Sequence, residues 1–335
     1  MFAIRIDRHG GPEVLQRVSL PAPVAGPDQV TVRVSHVGLN HLDLWVRRGV
    51  PGHRFPLPLV PGSDVVGHCV ELDAPVALHP GFGCMGCAAC LSGRHDLCRS
   101  YMIRGERCDG GMAELVVVPR AQVLPLPPGL APEQAAALPL ALLTAWHMLR
   151  TRARARPGDR VVVQAGASGV GSLAIQVARL CGARVAATAS TPDKRAACLR
   201  LGADQAWSYE EAADAARAWT DKAGVDIVVD HVGAATWPLS QRLLRWGGTY
   251  VSCGATTGHQ LALDMRAVFF KQLSILGSTM GGMGEMFDAW QAVSDGAIQP
   301  VLDRVLPMSE LGQAHALLED RALIGKVVMA QDLAS

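Results

Sequence analysis

The segment Gln164-Ala-Gly-Ala-Ser-Gly-Val-Gly171 limits the possible folds more than any other stretch, because it joins a β-branched run, Arg160-Val-Val-Val163, to a helical pattern. Apolar Val170, Leu173, Ala174, Val177 and Cys181 share one helical face, and Gly182 closes the helix. A second strand, Arg184-Val-Ala-Ala-Thr188, follows, and then Thr191-Pro192-Asp193, a helix cap with proline at the first helical position. Val225-Asp-Ile-Val-Val-Asp230 and Gly248-Thr-Tyr-Val-Ser252 repeat the alternation to about residue 275. Strands alternating with helices in this way predict a doubly wound parallel sheet with crossover helices.

In such a unit the glycines let the backbone approach a dinucleotide pyrophosphate, whose charge the helix N-terminus stabilises. Gly166, Ser168, Gly169, Val170 and Gly171 are the expected cofactor contacts, with Ser168 standing at the usual middle glycine. A plain tight strand-to-helix turn is the competing reading. An enzyme that uses NAD places a carboxylate about 20 residues on, against the ribose hydroxyls. Here that region carries Ser190, Lys194 and Arg195, which suit a 2′-phosphate and predict NADPH; a merely solvated helix face is the alternative.

A chain of 335 residues exceeds one ordinary domain. Residues 1 to about 125 are rich in Val, Pro and Gly, and Gln29-Val-Thr-Val-Arg-Val34 alternates as a half-buried strand does. Gly111 to Val118 reads as another strand, Glu285 to Ala297 as a helix, and Gly325-Lys-Val-Val-Met329 as a closing strand. The expected division is a β-rich domain over 1–130, completed by 276–335, and a cofactor domain over 131–275. Lys+Arg 31 against Asp+Glu 30 leaves a net charge of +1, without the basic surplus that nucleic acid or an anionic membrane would require. No apolar run reaches membrane-spanning length, and the charged start Met-Phe-Ala-Ile-Arg-Ile-Asp is no signal segment, so a cytoplasmic protein is expected.

Nine cysteines, five of them scattered, do not resemble a disulfide framework. The other four, Cys84, Cys87, Cys90 and Cys98, are spaced C-x2-C-x2-C-x7-C. Four thiolates close a tetrahedral zinc and leave no open position, so the expected metal is structural. Free or disulfide-paired cysteines are the alternative.

With these features in place, the whole chain resembles the medium-chain dehydrogenase/reductase superfamily. The four cysteines match the structural-zinc lobe of the zinc alcohol dehydrogenases. Val37-Gly-Leu-Asn-His-Leu-Asp43, Leu138-Pro-Leu-Ala-Leu-Leu-Thr-Ala-Trp146 and Lys271-Gln-Leu-Ser-Ile-Leu-Gly-Ser278 look most like quinone-oxidoreductase-type members. The resemblance implies a GroES-like catalytic domain plus a Rossmann domain. It implies cofactor contacts at His41, Thr144, Cys253, Gly254, Gly277 and Ser278, and a homo-oligomer, dimer or tetramer.

The departures from the family pattern bear on mechanism. Where zinc alcohol dehydrogenases carry their catalytic metal ligands, this chain has Asn40, Ser63 and Leu140, and Leu42 stands where a hydroxyl relays the alcohol proton. Asp43 is retained. The segment between Gly67 and His79 is also shorter than usual. Asn40 and Asp43 are therefore the expected catalytic residues of an NADPH-dependent reductase of quinones or α,β-unsaturated carbonyls that works without catalytic zinc. Conjugated acceptors depend least on a Lewis acid, and Asn40 can donate to the carbonyl oxygen or, on the competing reading, only cap a turn. Two other functions remain open: a zinc-dependent alcohol or aldehyde dehydrogenase with a site rebuilt from His36, His41, Asp64 or His68, and a cofactor-binding protein with little turnover.

Overall fold

A computed structural model describes residues 1–333. The chain forms two compact units: Met1–Ala141 with Gly281–Asp295 and the segment from Pro300 onward, and Leu142–Met280 with Gly296–Gln299. Among the described residues, no helix is long and apolar enough to cross a membrane.

The first unit is built on a seven-stranded sheet in the order Leu302–Pro307, Lys326–Ala330, Gln29–Gly38, Asp64–Cys69, Ala74–Leu78 and Val123–Pro125, with Leu115–Pro119 also pairing Gln29–Gly38. The alternation read at 29–34 is realised: Val30, Val32 and Val34 are buried, while Gln29 and Arg33 face out. These valines pack with Val65, Val76, Leu78, Val116, Val118 and Met329 into one core, each buried side chain stabilising by roughly 1.5–3 kcal/mol relative to exposure. The strand runs four residues beyond the alternating stretch, to Gly38, because Ser35 is the extra residue of a register shift after which His36 pairs with Val66 and the ladder resumes. That shift needs Gly67, where a Cβ would meet the Arg33 carbonyl oxygen at 2.1 Å.

The second unit is a six-stranded sheet in the order Gln205–Trp207, Arg184–Thr188, Arg160–Val163, Val225–Asp230, Leu244–Ser252 and Ser274–Gly277, with every pair parallel. Val161, Val162 and Val163 are fully buried, as expected of a strand covered on both faces. Helix Gly169–Leu180 follows the glycine turn, and Thr191 caps Pro192–Arg200 by accepting the Lys194 N–H at 3.3 Å. The doubly wound α/β architecture with a separate β-rich unit is thus observed. Gly166 and Gly171 serve the packing of strand against helix. A Cβ on Gly166 would lie 2.7 Å from the Ala187 Cβ, and one on Gly171 would lie 2.3 Å from the Ala165 carbonyl oxygen.

Candidate active site and metal site

Helix His41–Arg48 begins where the first-unit sheet ends, and Asn40 is its N-cap. The Asp43 carboxylate accepts the Asn40 N–H at 2.7 Å and the Gly62 N–H at 3.1 Å, which closes the first helical turn onto the chain entering the next strand. The Asn40 side chain is turned elsewhere. Its Nδ2 donates to Asp64 Oδ2 at 2.9 Å, and its Oδ1 accepts from Lys326 Nζ at 2.5 Å. Lys326 also donates to Asp64 Oδ2 at 2.9 Å, while Asp64 Oδ1 accepts the Leu140 N–H at 2.6 Å. Asn40, Asp43, Asp64 and Lys326 are 8%, 1%, 0% and 5% exposed, so this is a buried network of two carboxylates, one amide and one ammonium.

Its electrostatics follow from that burial. Asp43 is pushed up to about 6, chiefly by desolvation, against the pull of the Asn40 N–H and of Lys326. Asp64 shares its charge with Lys326 directly. The ammonium is the cation of the site, and it bonds both the Asn40 amide oxygen and the Asp64 carboxylate. Ser63, beside Asp64, donates its hydroxyl to the Arg104 carbonyl at 2.7 Å. His68 lies 3.0 Å from Asp73, apart from Asp64. Among the described residues, the only cluster of potential metal ligands is the four cysteines.

Lys326 was missed as a site residue, since Gly325-Lys-Val-Val was read only as a closing strand. A signal was present: one cation within a strand whose residues 326–329 are all buried needs a partner.

In the second unit the expected cofactor residues gather at the C-terminal ends of the parallel strands, where open α/β sheets bind ligands. Ser168 caps helix Gly169–Leu180 by accepting the Gly171 N–H at 3.0 Å, and its hydroxyl lies 2.8 Å from His231 Nε2. Gly254 packs on the His231 carbonyl, Gly277 has open space where a Cβ would point, and Ser278 follows it. His231 Nδ1, next to the helix N-terminus through Ser168, and Ser278 Oγ, after the edge strand Ser274–Gly277, are buried without a hydrogen-bond partner, as polar atoms that a ligand would satisfy. A dinucleotide fits this set. His231 was not anticipated from the sequence. Cys253 is pushed up to about 12, first by burial and then by Asp230, and so stays a neutral thiol. Thr144 is buried with its hydroxyl 3.9 Å from the Met280 sulfur. No carboxylate ends the strand Arg184–Thr188; Ser190 is exposed, Lys194 and Arg195 are half-buried, and Arg195 reaches the Ala189 carbonyl at 3.5 Å. His41 is the half-buried first residue of its helix, in the other unit.

The four cysteines lie on the lobe around the short helix Ala88–Leu91, and their sulfurs fall within 4.8 Å of one another. A tetrahedral zinc with bonds of about 2.3 Å spaces its sulfurs by roughly 3.8 Å, so the set fits. Gly83 makes room, since a Cβ there would lie 2.5 Å from Cys90 Sγ. Cys84 is lowered to about 6 by the Gly86 N–H and then the Cys87 N–H, whereas Cys90 is pushed up to about 12, first by burial. One sulfur is ready to ligate as thiolate, and the other needs the metal's charge to become one. All nine cysteines are free of disulfides.

Comparison with known proteins matches the same two regions. Residues 26–128 match the alcohol dehydrogenase GroES-like domain and residues 169–295 the zinc-binding dehydrogenase family. The chain therefore belongs to the medium-chain dehydrogenase/reductase superfamily and is an oxidoreductase. It is 28% identical to the quinone oxidoreductase of Rattus norvegicus, over 98% of this chain and 97% of that one. The crystal structure of an NAD-dependent alcohol dehydrogenase superposes with a TM-score of 0.95 at 41% identity, covering 98% of this chain and 99% of that one. A crotonyl-CoA carboxylase/reductase, AntE, solved in complex with NADP, superposes with a TM-score of 0.87 at 26% identity, covering 98% and 87%.

Proposed function

We propose that the protein is an NADPH-dependent reductase of quinones or α,β-unsaturated carbonyls that uses no catalytic zinc and holds one structural zinc. The observation that supports this reading most strongly is the buried Asn40–Asp64–Lys326 network, in which one carboxylate holds an amide and an ammonium, Asn40 standing where the family resemblance expects a metal ligand. A bound nicotinamide supplies the hydride. Negative charge then develops on the acceptor oxygen and must be met by donors already in place. Lys326 Nζ spends two of its three protons on Asn40 and Asp64. Asn40 Nδ2 spends one on Asp64 and directs the other at the Gly38 carbonyl at 3.5 Å, the limit of a hydrogen bond. An acceptor oxygen would accept hydrogen bonds from the third Lys326 proton and from the Asn40 proton that Gly38 holds only weakly, while the proton that completes the product comes from solvent. Asp64 holds both donors in position.

NADPH is the proposed cofactor because no carboxylate stands where the ribose hydroxyls of NADH would bind, and because Ser190, Lys194 and Arg195 follow the second strand. The 41% identical alcohol dehydrogenase is NAD-dependent, whereas the AntE complex holds NADP, so the choice rests on this chain's own residues. A homodimer is also proposed. The strand Ser274–Gly277 is an open sheet edge with Ile275 exposed, and helix Met265–Lys271 buries no residue while exposing Phe269 and Phe270. An edge of this kind pairs readily with its own copy.

The test is NADPH oxidation against quinones, enones, aldehydes and alcohols, with NADH in parallel and zinc content measured. Quinone or enone turnover with one zinc per chain is expected, and Asn40→Ala should lower kcat about 100-fold. Alcohol oxidation with two zincs per chain, or equal use of NADH, would reject the corresponding part.

A further inference from the structure

A groove of about 780 Å³ on the β-rich unit is lined by Arg54, Arg99 and Arg107 together with Phe55, Tyr101 and Met102, and by no acidic residue. In a chain whose basic and acidic residues balance to +1, three guanidinium groups around one concavity without a carboxylate are a local departure. All three arginines are exposed. Three carboxylates stand behind the lining: largely buried Glu106, 3.0 Å from His53 Nε2 and 3.8 Å from Arg107 Nε, and Asp96 and Glu285, which act on the Tyr101 hydroxyl. Tyr101 is fixed by donating its hydroxyl to the Gly281 carbonyl at 3.2 Å, so an apolar wall stands beside the charges. Ligand sites are commonly of this size and combine an apolar surface with a few convergent polar groups.

The same chain segment backs onto the proposed active site. Ser63 donates to the Arg104 carbonyl at 2.7 Å, and a Cβ on Gly105 would lie 2.5 Å from the Gly62 nitrogen. That nitrogen is the one bonded to Asp43. The stretch carrying Tyr101, Met102 and Arg107 is thus packed directly on the backbone that supports the Asn40 network.

We propose that this groove binds an anionic group, carboxylate or phosphate, carried by the reducible substrate away from its carbonyl. The inference rests on the reductase reading above. Guanidinium forks recognise both anions through paired, charge-assisted hydrogen bonds, and the aromatic and methionine surface takes the chain that joins anion to acceptor.

Three enones are compared with saturating NADPH: 4-oxopent-2-enoate, its methyl ester, and a phosphate monoester of a hydroxy-enone. At least one anion should be preferred over the ester by roughly tenfold in kcat/KM, and which one identifies the anion. Arg99→Ala and Arg54→Ala should abolish the preference by raising KM for that anion, with the ester unchanged. Equal kcat/KM for all three, or variants that lower all alike, overturns the proposal. If no enone turns over, the reductase reading has failed on its own. Calorimetry with inorganic pyrophosphate and with glutarate, on the NADPH-loaded protein, then decides the groove. Saturable binding lost in the arginine variants upholds it, and no binding of either probe overturns it.

Discussion

Two polar clusters within the β-rich unit solve the same problem in opposite ways. The Cys84–Cys98 lobe gathers four sulfurs and no cation, so its charge balance is incomplete until a metal arrives. The Asn40–Asp43–Asp64–Lys326 network contains its own cation, brought from a strand near the end of the chain. A cluster of thiolates therefore implies something outside the protein, whereas a cluster already closed by lysine needs no ion from outside. Under the proposed function, the contrast is how one chain keeps a zinc lobe while working without a catalytic metal. The two sites depend on separate sets of residues.

Three perturbations would break or sharpen this contrast. Removing zinc should act on the lobe alone and most severely. Chelation, or Cys90→Ser, is expected to lower Tm on the order of 10 °C by calorimetry, because structural zinc contributes folding energy directly. A zinc-free protein with unchanged Tm would show that the four sulfurs hold nothing.

Lys326→Met attacks the other cluster by leaving the Asp64 carboxylate buried and unpaired. Urea unfolding at pH 7 should show a loss of about 3–5 kcal/mol, and pairing the change with Asp64→Asn should restore part of it. A loss below about 1 kcal/mol would mean that water already screens the pair.

The smallest effect concerns Asp43, whose folded-state pKa of about 6 lies above the unfolded value of 3.8. The folded state binds the extra proton in that window, so this group's contribution to stability is full below 3.8 and lost as pH rises through 6. Wild type should therefore lose about 3 kcal/mol relative to Asp43→Asn between those limits. Parallel pH profiles for the two proteins would refute the raised value.

Much of the fold was legible in the sequence because it is carried by local patterns. The strands at 160–163, 184–188 and 225–230 coincide with their short apolar runs, whose interior residues are buried on both faces and are bounded by polar residues such as Arg160, Arg184 and Asp230. Thr191-Pro192 announced its helix for a similar reason: the capping bond spans three residues. Helix 283–294 begins two residues before the expected start, because Glu285 serves as its third residue and bonds back to the Gly282 N–H at 2.7 Å.

The site was legible only in part. The cysteine spacing and the glycine turn are compact, but Asn40 and Lys326 are 286 residues apart, and no local pattern pairs them. Asn40 is expected as a donor to the substrate oxygen or as a cap; it stands at the N-cap of its helix, and its side chain bonds Asp64 and Lys326. The Ser168–His231 contact escaped notice for the same reason of distance, with 63 residues between its members.

The late position of Lys326 also bears on how the protein is made. The strand Lys326–Ala330 pairs with Gln29–Gly38 through Val328 and Gly38, so the oldest part of the nascent chain waits for the youngest. At about 5–20 residues per second, the 262 residues separating Asp64 from Lys326 correspond to roughly 15 s to a minute of synthesis. During that interval Asp64 has no ammonium to neutralise it and keeps its water. The buried network around Asp64 therefore cannot close until Lys326 has been synthesised.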